Sequence, residues 1–114
     1  MPYDTELANR IRELLAQQTG SDGTWDDKAM FGGLAFLING HMAVAVSSKG
    51  GLMVRVPPEE TDKLLGRAHV RPVVMAGRET RGWLRVDAGG VKTTRQLQSW
   101  VSMGTGYART LPPK

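Results

Sequence analysis

At 114 residues, with 40% hydrophobic and 23% charged side chains, the chain has the size and composition of one folded domain and is neither a disordered segment nor a pair of cores. The absence of cysteine excludes disulfides, thiol nucleophiles, thiolate zinc sites and iron–sulfur ligation. The net charge of +4 is unevenly spread, since residues 1–48 hold three basic and six acidic side chains and residues 49–114 hold twelve and five; a basic half suits nucleic acid or an acidic partner and is silent about fold.

The opening Met1-Pro2-Tyr3-Asp4-Thr5-Glu6 lacks the basic and apolar regions of a signal peptide, and no run approaches the roughly 18 apolar residues of a membrane span. One domain over residues 1–114, in the cytoplasm, is the expectation. Leu7, Ile11, Leu14 and Leu15 share a helical face and predict an amphipathic helix from about Asp4 to Gln18. Asp4 or Thr5 can cap it, and Gly20 offers an exit. Thr19 to Asp27 reads as a loop with Trp25 as its anchor.

From Lys28 the pattern becomes short apolar runs: Leu34–Ile38, then Asn39-Gly40, then Met42–Val46, then Lys49-Gly50-Gly51, then Leu52–Val56. This predicts a three-stranded antiparallel meander, because Asn-Gly tolerates the positive φ that a two-residue hairpin turn requires. Pro57-Pro58-Glu59-Glu60 starts a short helix packed by Leu64 and Leu65 and ended by Gly66. Val70–Met75 is strand-like, with Pro72 marking an edge. Gly77 to Gly82 reads as a turn and Trp83–Asp87 as the returning strand. A final helix begins near Thr93 or Thr94 and carries the stripe Leu97, Trp100, Val101, Tyr107 and Ala108. Within it Gly104 and Gly106 imply a kink, a close contact or an early end. The fold class is α+β: an antiparallel sheet of about five strands, meander plus hairpin, flanked by N-terminal, short middle and C-terminal helices.

The ordered set Met30-Phe31-Gly32-Gly33, Arg71-Pro72, Gly77-Arg78, Arg81-Gly82-Trp83, Trp100-Val101 and Tyr107 through Lys114 resembles the N-terminal domain of the TfoX/Sxy competence-regulator family. The resemblance spans nearly the whole chain. It implies a helix-flanked antiparallel sheet with no cofactor and no enzymatic activity, in a stand-alone N-terminal domain without the second domain of larger members. Members linked to natural transformation act with the cyclic-AMP receptor protein to switch on DNA-uptake genes.

The residues that could carry chemistry are few. Met30-Phe31-Gly32-Gly33 could cradle a ligand, but it lacks the Lys-Ser/Thr of a phosphate loop; its expected role is structural, a bulge under the first helix with Met30 and Phe31 anchored in the core. His41 and His69, the two histidines, have no second ligand at metal spacing, and the acidic loop Asp22, Asp26, Asp27 lacks the calcium-loop pattern, so no metal is expected. Ser47 and Ser48 beside Lys49 sit at a hairpin tip, where lysine stays solvated and protonated. No carboxylate pair shares a predicted face. The expectation is a protein that is not an enzyme.

The remaining feature is the basic run Arg67, Arg71, Arg78, Arg81, Arg85, Lys92 and Arg95, opposed within its span by Glu79 and Asp87. Arginine forks suit phosphate, carboxylate and aromatic partners. Arg71 and Arg85 are expected on one outward face, with Arg78 and Arg81 at the turn between them. These arginines could also pair with Asp22, Asp26 and Asp27, within the domain or across a homodimer. Gly82, Trp83 and Trp100 are expected to be structural, the two tryptophans in the core. The functional expectation is a regulatory module that binds a protein, such as a transcription factor. Its rivals are direct nucleic-acid binding by the basic face and a small-molecule sensor with a pocket behind Met30–Gly33.

Overall fold

In the computed structural model, which describes residues 4–19, 25–30, 33–47, 50–75 and 77–112, the chain begins with helix α1 (Thr5–Thr19). Asp4 caps it, its Oδ1 accepting the Leu7 N–H at 3.1 Å. The face bearing Leu7, Ala8, Ile11, Leu14 and Leu15 is buried.

Among the described residues six strands follow: β1 (Trp25–Met30), β2 (Gly33–Ile38), β3 (His41–Val46), β4 (Leu52–Arg55), β5 (Val70–Met75) and β6 (Arg78–Val86). They form one antiparallel sheet in the order β1-β2-β3-β4-β6-β5. The expected five become six because Trp25–Met30 is an edge strand rather than loop. Asp26 and Asp27 disfavour a strand locally, but every residue of Trp25–Met30 pairs in register with Gly33–Ile38. Carboxylates on an edge also discourage pairing with another chain. The Met30–Gly33 motif therefore joins two strands instead of preceding the first, its ends pairing with each other. The Met30 side chain, Phe31 and Gly32 lie outside the described residues, and with them the expected core anchors and the pocket behind the motif.

Asn39 (φ 53°) and Gly40 (φ 85°) turn β2 into β3, as two-residue hairpins require. The register shifts in this pair: Phe36 faces Val44 but Leu37 faces Met42, so Ala43 is an extra residue. A second irregularity revises the expected Gly77–Gly82 turn. The chain turns at Gly77 (φ 78°), β6 starts at Arg78, and Gly82 (φ 90°) is a bulge inside the strand. The bulge is tied on both sides. Gly82 N–H donates to Thr61 Oγ1 at 2.9 Å and Gly82 C=O accepts the Val56 N–H at 2.8 Å.

Between β4 and β5 a 3-10 turn (Pro58–Glu60) leads into the short helix α2 (Thr61–Leu64). Helix α3 (Thr94–Thr110) starts at a capping box in which Thr93 and Gln96 satisfy one another's backbone N–H groups. It runs without interruption through Gly104 and Gly106. His41 Nε2 hydrogen bonds to the Pro112 carbonyl, tying the start of β3 to the chain beyond α3.

Leu7, Ile11 and Leu15 of α1, Leu64 of α2, and Leu97, Trp100 and Val101 of α3 enter one apolar cluster with Leu34, Phe36, Ile38, Val44, Val46, Leu52, Val54, Leu84 and Val86. Each such side chain contributes about 1.5–3 kcal/mol when fully buried. Successive strand residues point to opposite faces, so all three helices pack on one face of the sheet. The residues alternating with that cluster are turned away from it, except that Arg55, at the end of β4, reaches Tyr107 of α3.

Candidate functional site

The face turned away from the helices is built from residues that pair directly across strands. Lys28, Ala35, Ala45, Met53, Arg85 and Arg71 stand side by side from edge to edge, and Asp26, Leu37 and Met42 form a second row. Ala35 and Ala45 are buried, while Leu37, Met42 and Met53 are half-exposed. The result is a shallow apolar strip with two arginines at one end and charged Lys28 and Asp26 at the other.

The two strip arginines are already engaged. Arg85 reaches across β4, its Nη2 donating to Ser47 Oγ at 3.4 Å and to the Gly50 carbonyl at 3.3 Å. Arg71 Nε donates to Asp87 Oδ2 at 3.0 Å, with the arginine side chain 70% exposed. Such a solvated pair contributes about 0–1 kcal/mol and can be exchanged for a partner's carboxylate at little cost.

The other candidate cations are dispersed. Arg81 lies within β6 rather than at the turn and clamps the bulge to the segment before β5, donating to Asp62 Oδ2 at 3.1 Å and to the Pro58 carbonyl at 3.0 Å. Arg78 is exposed at the tip of the β5–β6 hairpin, near Val74, which is 60% exposed. Lys92 and Arg95 are exposed at the start of α3, beyond the opposite end of β6 from that tip. Arg71, Arg78, Arg81, Arg85, Lys92 and Arg95 thus form no continuous track. The acid that meets an arginine from the first half of the chain is Asp27, held by Arg12 of α1 at 3.1 Å; Asp22 lies outside the described residues, as do Ser48 and Lys49.

Trp100 is 4% exposed and belongs to the core. Trp83 does not: it is half-exposed, and the Arg55 guanidinium stands 5.6 Å from its ring centre and 5.8 Å from that of Tyr107. This cation joins β4, β6 and α3. Sequence reasoning missed Arg55, which reads as a solvated strand residue. It also passed over Arg67, His69, Gln96 and Ser99 as a group, which line one cavity with Trp100.

Among the described residues, no three His, Asp or Glu side chains stand together as a metal site would require. No described helix is long and apolar enough to cross a membrane.

Neither the curated proteins nor the solved structures gave a match to this chain. Among the family models, that of the TfoX N-terminal domain matches residues 13–107. This span runs from the middle of α1 into the last turns of α3 and takes in all six strands, the Gly82 bulge and Trp100. The chain belongs to the TfoX N-terminal domain family.

Proposed function

We propose that the chain is a non-enzymatic regulatory binding module whose docking surface is the helix-free face of the sheet, and that its partner is an acidic segment of a protein that controls transcription. One observation carries this reading: Ala35, Ala45, Met53, Arg85 and Arg71 are consecutive cross-strand neighbours on that face. Ala35 and Ala45 are buried among their neighbours, so Leu37, Met42 and Met53 supply the accessible apolar contacts. Met53 is an adaptable apolar contact, and the arginine forks match carboxylates. Membership of a family associated with competence regulation supports the regulatory part.

Met53→Asp tests the surface without touching the helix-side core. It is expected to abolish retention of the acidic regulatory partner by the immobilised chain while leaving the thermal midpoint within a few degrees. Unchanged retention would count against the docking face. Titration with random duplex DNA separates the rival reading, because phosphate binding falls steeply with salt. With Arg78, Arg81, Lys92 and Arg95 dispersed away from the two strip arginines, only weak binding at low salt is expected. Tight binding that Arg85→Ala reduces would favour nucleic acid instead.

A further inference from the structure

Away from the sheet face, the segment between α2 and β5 meets the first two turns of α3 around a cavity of about 200 Å³ lined by Arg67, His69, Gly90, Gln96, Ser99 and Trp100. We propose that this cavity binds a small phosphate monoester. Every polar side chain on the wall can donate a hydrogen bond and none is a carboxylate. The Arg67 guanidinium sits 4.8 Å from the ring centre of Trp100, a cation–π contact that positions the charge and consumes none of its N–H groups. Gln96 is oriented by the capping box: its Oε1 accepts from Thr93 N–H at 3.0 Å and Thr93 Oγ1 at 3.3 Å, which leaves the side-chain NH2 as a donor. Ser99 lies three residues along the same helix and adds a hydroxyl.

His69 is held in place by its backbone and by two glycines. Its φ of 67° is left-handed, which among the described non-glycine residues it shares with Asn39 of the hairpin turn. Histidine adopts this region more readily than most residues, yet the conformation is still strained and persists where the surroundings fix it. Asp87 N–H fixes it by donating to the His69 carbonyl at 2.8 Å. The ring lies against Gly89, where a Cβ would stand 2.7 Å from Cε1, and a Cβ on Gly90 would stand 3.1 Å from the His69 Cβ. The chain thus holds the His69 side chain against Gly89 and Gly90 on the wall of the cavity.

Two further cations neighbour the lining residues along the chain. Lys92 and Arg95 flank the lining residues Gly90 and Gln96 in sequence and are exposed. Asp87, the acid nearest in sequence to the Gly89–Gly90 floor, is taken by Arg71. A phosphate monoester carries close to two negative charges and three acceptor oxygens at neutral pH, which matches this set. The cavity is smaller than the roughly 300–1,000 Å³ of drug-sized ligand sites, so it suits a phosphate with a short carbon body rather than a dinucleotide.

The test is a titration of the labelled chain, followed by backbone and indole N–H resonances, with inorganic phosphate and with glycerol 3-phosphate at constant ionic strength. Saturable shifts are expected at residues 67–69, 90, 96 and the Trp100 indole, with glycerol 3-phosphate the tighter ligand. Arg67→Gln and His69→Asn, the latter keeping a residue that tolerates the left-handed backbone, are each expected to weaken binding about tenfold or more. Their spectra should otherwise stay native. Shifts that do not saturate in the millimolar range, or that survive in the doubly substituted chain, overturn the site. Met53→Asp leaves this binding unchanged, so the outcome is independent of the sheet-face reading.

Discussion

Gly104 of α3 is packed against the backbone of Ala43 in β3: a Cβ built on it would lie 2.5 Å from the Ala43 carbonyl oxygen and 2.9 Å from Val44 Cγ1. Ala43 is the extra residue of the β2–β3 bulge, so the bulge and the glycine together let the helix come down onto the centre of the sheet.

Gly104→Ala is therefore expected to destabilise the domain by about 1–3 kcal/mol, the usual cost of overpacking. Gly106→Ala, two residues on, is expected to stabilise it by about 0.4–1 kcal/mol, because its Cβ would meet open space and the helix gains propensity. Urea unfolding of the two variants checks the sign of each.

The tryptophans should separate in the same assay. Trp100→Ala removes a core aromatic and should cost about 3–5 kcal/mol, enough to unfold much of a domain of ordinary stability. Trp83→Ala loses a half-exposed ring and its contact with Arg55, and should cost about 1–2 kcal/mol. Equal losses would place Trp83 in the core after all.

Thr61 is buried and its hydroxyl accepts the Gly82 N–H. Thr61→Val keeps the shape and orphans that donor, at an expected cost of about 1–3 kcal/mol, whereas Thr61→Ser retains the bond and should cost clearly less. Amide exchange at Gly82 supplies a local readout: fast in Thr61→Val, protected in Thr61→Ser.

Much of this fold was legible because local chemistry and tertiary packing agree. Asn39-Gly40 adopts the positive φ that its residues favour, and the Leu97–Ala108 stripe is the face that α3 buries. Trp25–Met30 was not legible as a strand because its acidic residues argue for loop, and only pairing with a partner strand decides otherwise. Gly82 reads as the end of a turn because a glycine in a bulge and a glycine in a turn leave the same trace. The candidate surfaces show the same limit. Arg71 and Arg85 could be placed on neighbouring strands from their alternation, but the engagement of Arg85 with Ser47 and Gly50 depends on side chains converging from three segments. The grouping of His69 with Gln96 and Ser99 depends on α3 packing beside the loop before β5, which no spacing in the sequence encodes.

The claim on which the functional account rests is that partners dock on the face opposite the helices. Placing a photo-crosslinking amino acid at position 53, on that face, and separately at Gln98, exposed on α3, tests it in native cells. A protein adduct formed from position 53 and absent from position 98 is the expected result. Adducts from position 98 alone, or adducts to DNA from position 53, would contradict it.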